Sequence, residues 1–187
     1  MTGSDTYTSF VGWDANGIGW RVESMETIVG SPLPNVSRLA VIRGEDDDRR
    51  DAQWVLRGRT GPVQYISTAE EQQLSAIAPP LARPKATSAA LLPIRKSPAW
   101  WALPDAERTR IFGEASKHVP IASRYVPAVA RRLYYSRELG EPFDFLTWFE
   151  FAPNDAASFD MLLRELRDTE EWAFVDREID IRLTRAL

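Results

Sequence analysis

Two basic side chains and one acidic pair stand out for chemistry. His118, within SKHVPIASRYVPAVARRLYY (residues 116–135), is the only histidine of 187 residues, and the chain has no cysteine. A lone imidazole can be a surface group or a satisfied polar residue. It can also hold one metal ion if a macrocycle supplies the remaining ligands, as a proximal histidine does for haem. A conventional zinc site is excluded by so few donors, and disulfides, thiolate nucleophiles, iron–sulfur ligation and thioether-linked haem go with the missing cysteines. A histidine ligand is usually oriented by a carboxylate on its other ring nitrogen. Glu170-Glu171-Trp172 could provide one, although a solvated acidic pair is the plainer reading. Arg131 follows His118 by 13 residues, too far along a helix rising ~1.5 Å per residue to touch it. It could face the other side of a ligand plane, where a permanently charged guanidinium holds an anion at any working pH.

FDFLTWFEF (143–151) offers a different kind of site. Side chains alternate along a strand, so Phe143, Phe145, Thr147, Phe149 and Phe151 share one face. Four phenyl rings around one hydroxyl could be a core face, or an apolar pocket for a flat aromatic ligand with a single polar contact.

These residues need elements to position them. Turn residues divide the first half into short strands: TYTSFVGW, GWRVESMETIV, SRLAVIRG, AQWVLRGRTG and PVQYIS. GEDDDRRD (44–51) lacks the spacing of a calcium loop and reads as a solvated connection. TAEEQQLSAIAPPLA predicts a helix with Thr68 as N-cap and Glu71 completing a capping box, stopped by Pro79-Pro80. LARPKATS is a candidate linker, and we divide the chain there into residues 1–86 and 87–187. The second half starts with the strand AALLPIRKS and the helical stretch PAWWALPDAERTRIFGEASKH. A helix from Pro120 to Arg137 follows, kinked at Pro127. The strand FDFLTWFEF, the amphipathic helix DAASFDMLLRELRDTEEWAFV and a strand alternating Ile179, Ile181 and Leu183 with Asp180 and Arg182 complete it. This element order implies an α+β protein made of two units side by side.

Composition narrows the partners. At 44% hydrophobic and 27% charged, the chain is of ordinary globular type, and a net charge of −4 argues against a nucleic-acid or anionic membrane surface. No apolar run approaches the ~18 residues of a membrane span, and no export signal opens the chain, so a cytoplasmic location is expected.

The segments ALLPIRKSPAWWALPDAER, SKHVP, VARRLYYSRELGEPFDFLTWFEF and TEEWAFVDREIDIRL together resemble the chlorite dismutase family of haem b enzymes, in particular its short, dimeric, cytoplasmic lineage. The resemblance covers about half the chain, nearly all of it in the second unit. It implies two ferredoxin-like units forming a dimeric α+β barrel, with haem b in the second unit, none in the first, and a homodimer. His118 then corresponds to the iron ligand, Glu171 to its carboxylate partner and Arg131 to the catalytic distal arginine. Thr147 and Phe149 match residues lining the distal cavity, and Lys96 and Trp100 residues near the haem propionates. The implied reaction converts chlorite to chloride and dioxygen. The family also holds weak peroxidases and coproporphyrin-haem decarboxylases, and a haem-binding or sensing role is a further alternative. Decarboxylases generally lack the arginine and carry a tyrosine where this chain has Leu92, so both positions point away from that reaction.

Overall fold

The computed structural model describes residues 7–14, 19–44, 51–62 and 64–185. Four strands come first, β1 (Tyr7–Trp13), β2 (Trp20–Val29), β3 (Arg38–Arg43) and β4 (Ala52–Arg59), then helix α1 (Thr68–Ile77). The second half runs β5 (Ser88–Lys96), α2 (Pro98–Ala102), α3 (Asp105–Arg110), a π-helical turn (Ile111–Ala115), α4 (His118–Tyr125), β6 (Ala130–Tyr135), β7 (Phe145–Phe151), α5 (Ala156–Arg167), a 3₁₀ turn (Glu171–Phe174) and β8 (Val175–Arg185). No helix among the described residues is long and apolar enough to cross a membrane.

The eight strands close into one barrel in the order β1-β3-β2-β8-β5-β7-β6-β4, and every pairing is antiparallel. Each set of four therefore lays its strands fourth, first, third, second across the sheet. The two sets meet along unequal seams: β2 and β8 pair from Trp20↔Arg185 to Val29↔Glu178, whereas β4 and β6 share the single rung Arg59↔Tyr135.

Alternation sorts the strand residues onto two faces. Phe10, Leu56, Leu91, Leu146, Trp148 and Ile181 fill the barrel interior. Gly58 is required there, since a Cβ would sit 2.6 Å from that of Tyr134. The outer face of β5 and β7 carries Leu92, Ile94, Phe149 and Phe151 and packs against α5. That helix buries Phe159, Leu162, Leu163 and Leu166, the one-sided spacing an amphipathic helix needs. Each such side chain contributes roughly 1.5–3 kcal/mol relative to exposure. Of the deduced β7 face, Phe143 is the exception, lying before the strand and packing into the barrel interior.

Four local expectations are corrected. The helix from Pro120 to Arg137 instead ends at Tyr125, because Pro127 has no N–H to continue the ladder, and Arg131 lies on β6. The capping box of α1 is one residue earlier, with Ser67 as cap and Glu70 returning its carboxylate to the Ser67 N–H at 2.8 Å. Glu170 and Glu171 are not at the end of α5, which stops at Arg167. Around PVQYIS, the described residues Gln64 to Ile66 form turns and a bend rather than a strand, and most of GEDDDRRD, residues 45–50, lies outside the described residues.

Candidate functional site

His118 opens α4, and the chain reaches it through two uncommon conformations. The π-helical turn Ile111–Ala115 closes with the Ser116 N–H donating to the Ile111 carbonyl at 2.9 Å, and Lys117 then takes a left-handed φ of +48°. Together they bring the Phe112 ring parallel to the imidazole, with centroids 4.2 Å apart. Pro120, in the first turn of α4, costs no helical hydrogen bond.

The imidazole is held by a chain of buried charge. His118 Nδ1 lies 3.1 Å from Glu171 Oε2, and Lys96 Nζ donates to Glu171 Oε1 at 2.8 Å and to the Glu171 carbonyl at 3.1 Å. The Glu171 N–H donates to Ser116 Oγ at 2.9 Å, tying the residue to the turn that leads to His118. Burial by itself would raise the Glu171 carboxyl, but the Lys96 ammonium and the hydrogen bonds from His118 and Lys96 overcome it and hold the group at about 2. An ionised Glu171 accepts the Nδ1 proton, which fixes the tautomer and leaves the Nε2 lone pair available. Nε2 makes no hydrogen bond among the described residues.

Lys96 is fixed at both ends. Its backbone N–H donates to Asp144 Oδ2 at 2.7 Å, and its ammonium lies 4.7 Å from the Trp100 ring centroid and 5.6 Å from that of Trp172. Trp172 is anchored by its indole N–H, which donates to Glu178 Oε2 at 2.8 Å, and Glu178 is in turn paired with Arg167 at 2.6 Å.

His118, Glu171, Lys96, Trp100, Arg131 and Thr147 line one cavity enclosing about 620 Å³ of free space, its mouth included. Ile94, Leu133 and Phe145 give it apolar walls. Arg131 reaches it because β6 alternates: Arg131, Leu133 and Tyr135 share the outer face, and β7 pairing sets Leu133 against Thr147. Arg131 forms no ion pair or hydrogen bond among the described residues, and burial lowers its guanidinium from the ordinary value. Phe149 does not join this group; its ring packs 4.9 Å from that of Phe159 in the core beneath α5. The Lys96 ammonium is likewise directed to Glu171 rather than left free for an anionic ligand.

The first half of the chain also enters the cavity. Gln64 and Tyr65 line it, Tyr65 with a left-handed φ of +65°. The Tyr135 hydroxyl pins this segment by accepting from the Gln64 N–H at 3.1 Å and donating to the Pro62 carbonyl at 2.8 Å. Sequence reasoning missed Gln64, Tyr65 and Phe112, whose placement depends on loop and turn conformations. Tyr135 was readable, as the second alternate residue after Arg131, once that segment is taken as a strand.

The donor set fits an iron macrocycle. Among the described residues no group of three or more His, Cys, Asp or Glu side chains could hold a metal ion, so a metal at His118 needs ligands that arrive with it. The Trp100 indole N–H is fully buried and lines the cavity; it makes only a weak approach to the Tyr65 hydroxyl, with no acceptor at full hydrogen-bond geometry, which leaves it able to donate to a polar edge of a ligand.

Comparison with known proteins agrees with this arrangement. A family model described as chlorite dismutase matches residues 49–187. A dimeric chlorite dismutase from Nitrobacter winogradskyi is 44% identical, with a TM-score of 0.87 over 96% of this chain and 99% of that one. A mutant chlorite dismutase from Candidatus Nitrospira defluvii, 19% identical, superposes with a TM-score of 0.70 over 98% of this chain and 93% of that one, a likeness of fold. The same organism's enzyme in complex with imidazole gives a TM-score of 0.69 at 19% identity over 98% and 92% of the two chains. No curated protein matches the chain. On the strength of the family match, the near-complete overlap with the Nitrobacter protein and the cavity built around His118, this chain belongs to the chlorite dismutase family.

Proposed function

We propose that the protein is a haem b chlorite dismutase, converting chlorite to chloride and dioxygen. The observation that carries this reading is the shared cavity: an imidazole oriented by an ionised carboxylate, and an arginine with no counter-ion of its own. His118 would hold the iron through Nε2, and Trp100 would donate its indole N–H to a haem propionate. Bound haem supplies an iron centre able to accept an oxygen atom from chlorite and return it.

The chain's own residues do the rest. Glu171 keeps its charge and accepts a hydrogen bond from His118 Nδ1–H, which would orient the ring and strengthen Nε2 as a donor. Lys96 balances that buried carboxylate. Arg131 retains the chlorine-containing anion within the cavity until both oxygens of chlorite leave as dioxygen, a role in which a fixed cation is worth far more than it is in water. Ile94, Leu133 and Phe145 exclude water, and Thr147 adds a hydroxyl to that wall.

We read the two four-strand sets as ferredoxin-like units divided near residue 86, with the haem on the second. The first supplies Gln64 and Tyr65 to the cavity wall. A homodimer fits the likeness to the dimeric Nitrobacter protein, and we take its location to be cytoplasmic from the sequence. Against coproporphyrin-haem decarboxylation stand Arg131 in the cavity and Leu92 set opposite Thr147 on β5. The deciding experiment is oxygen-electrode measurement with chlorite on haem-loaded protein. Stoichiometric oxygen release is expected; a Soret band without oxygen would leave weak peroxidase or sensing as the function.

A further inference from the structure

Arg131 also lines a second cavity, and its neighbour Arg132 lines that one too. Successive strand residues point to opposite faces, so two of them border the same hollow only where the strand edge is open. That is the case here. β6 pairs with β4 only at Arg59↔Tyr135, and past that rung Thr60 and Gly61 leave the barrel and border the cavity together with Arg132 and Leu133. α1 lies along it with Glu71, Leu74 and Ser75, and no residue of α1 is buried. The space is about 810 Å³, its mouth included.

The charges in this hollow do not cancel. Neither Arg131 nor Arg132 has an ion-pair or hydrogen-bond partner among the described residues, and Glu71 is the one carboxylate along the lining. Two guanidiniums against one carboxylate leave one positive charge, in a protein whose net charge is −4. A concave surface of excess positive charge concentrates small anions. The hydroxyls of Thr60 and Ser75 add neutral donors at the same place.

We propose that this second cavity binds one small monovalent anion, a halide or an oxyanion, between Arg131 and Arg132, as a waiting site for traffic to and from the His118 cavity. Because Arg131 borders both spaces, an anion can pass between them without leaving a guanidinium. That the travelling anions are chlorite and chloride rests on the reaction proposed above; the anion site itself does not.

The test uses haem-loaded protein and bromide as the probe. In crystals soaked in bromide, the anomalous signal should lie on the Arg132 guanidinium of the wild type, disappear in Arg132→Gln and gain occupancy in Glu71→Gln. An empty wild-type cavity, or a peak undiminished in Arg132→Gln, overturns the site. In solution, Arg132→Gln should lower kcat/KM for chlorite by roughly tenfold with kcat retained and weaken its dependence on ionic strength, as loss of an entrance charge does, and Arg132→Lys should restore most of it. An equal fall in kcat overturns the waiting role. Wild-type protein that releases no oxygen but binds bromide would refute the reaction and leave the site standing.

Discussion

Replacing Lys96 with methionine isolates the charge balance on which the His118 site depends. The substitution keeps most of the apolar stem between Trp100 and Trp172 but removes the ammonium from Glu171, whose side chain is only 8% exposed. The cost can be set in scale from two sides. A carboxyl held at about 2 in the fold, against 4.5 when unperturbed, adds about 3 kcal/mol of stability in all, with the Lys96 ammonium the largest favourable cause and His118 supplying a further part. Removing one partner of a buried ion pair generally costs about 3–5 kcal/mol, because the other charge stays buried without compensation. For a chain of this length that lowers Tm by roughly 6–20 °C. The pH signature follows from the sign of the perturbation. The unfolded chain takes up the proton first as pH falls, so the stabilisation from Glu171 is complete above pH 4.5 and lost on the way down to about 2. Urea unfolding from pH 7 to pH 3 should show that acid-labile component in the wild type and a much smaller one in Lys96→Met. The double variant Lys96→Met/Glu171→Gln should be more stable than Lys96→Met alone, since no buried charge is left unpaired. A cost below 1 kcal/mol for Lys96→Met, or a double variant whose loss equals the sum of the single ones, would refute the reasoning.

Three further outcomes are expected. His118→Ala should lose haem or its five-coordinate spectrum; unchanged affinity and spectrum would remove His118 as the ligand. Arg131→Ala should retain haem, turn chlorite over roughly 10²-fold more slowly, release more trappable hypochlorite and inactivate sooner, and equal turnover and lifetime would dismiss its anion-holding role. Trp100→Phe, which deletes the unpaired indole N–H, should speed haem loss to a scavenging apoprotein roughly tenfold, the equivalent of one ordinary hydrogen bond; an unchanged rate would mean that the indole donates nothing to the ligand.

What could be read from the sequence depended on whether a residue's placement is local. His118, Glu171, Lys96, Trp100, Arg131 and Thr147 do meet in one cavity, and β7 alternation put Phe145 and Thr147 on the correct face. Alternation could not tell that the same face passes from the cavity to the core beneath α5, which is where Phe149 lies. Sequence reasoning places Arg131 on the wrong element because Ala128, Ala130, Arg131 and Arg132 beyond Pro127 are good helix formers, and the proline ends the helix instead of kinking it. Phe112 and Tyr65 were illegible for another reason: one is aimed by a π-helical turn and the other by a left-handed backbone, and neither conformation has a residue pattern that announces it at these positions.

The unequal seams make the barrel a hoop with a clasp. Joining Arg59 to Tyr135 closes a long chain loop, and the entropy of that closure is offset locally by a single backbone rung, the Tyr135 grip on Pro62 and Gln64, and the ion pairs of Arg57 with Glu141 and Arg59 with Glu138. The opposite seam is stitched along nearly the whole of β2. The β4–β6 seam is therefore the one with the least backbone pairing around the barrel. Gln64 and Tyr65 sit beside the clasp, so the part of the cavity wall that comes from the first half is tied to that seam. Parting that seam would also separate Phe10 from Tyr134 and Trp148, so the clasp and the shared barrel core hold or yield together.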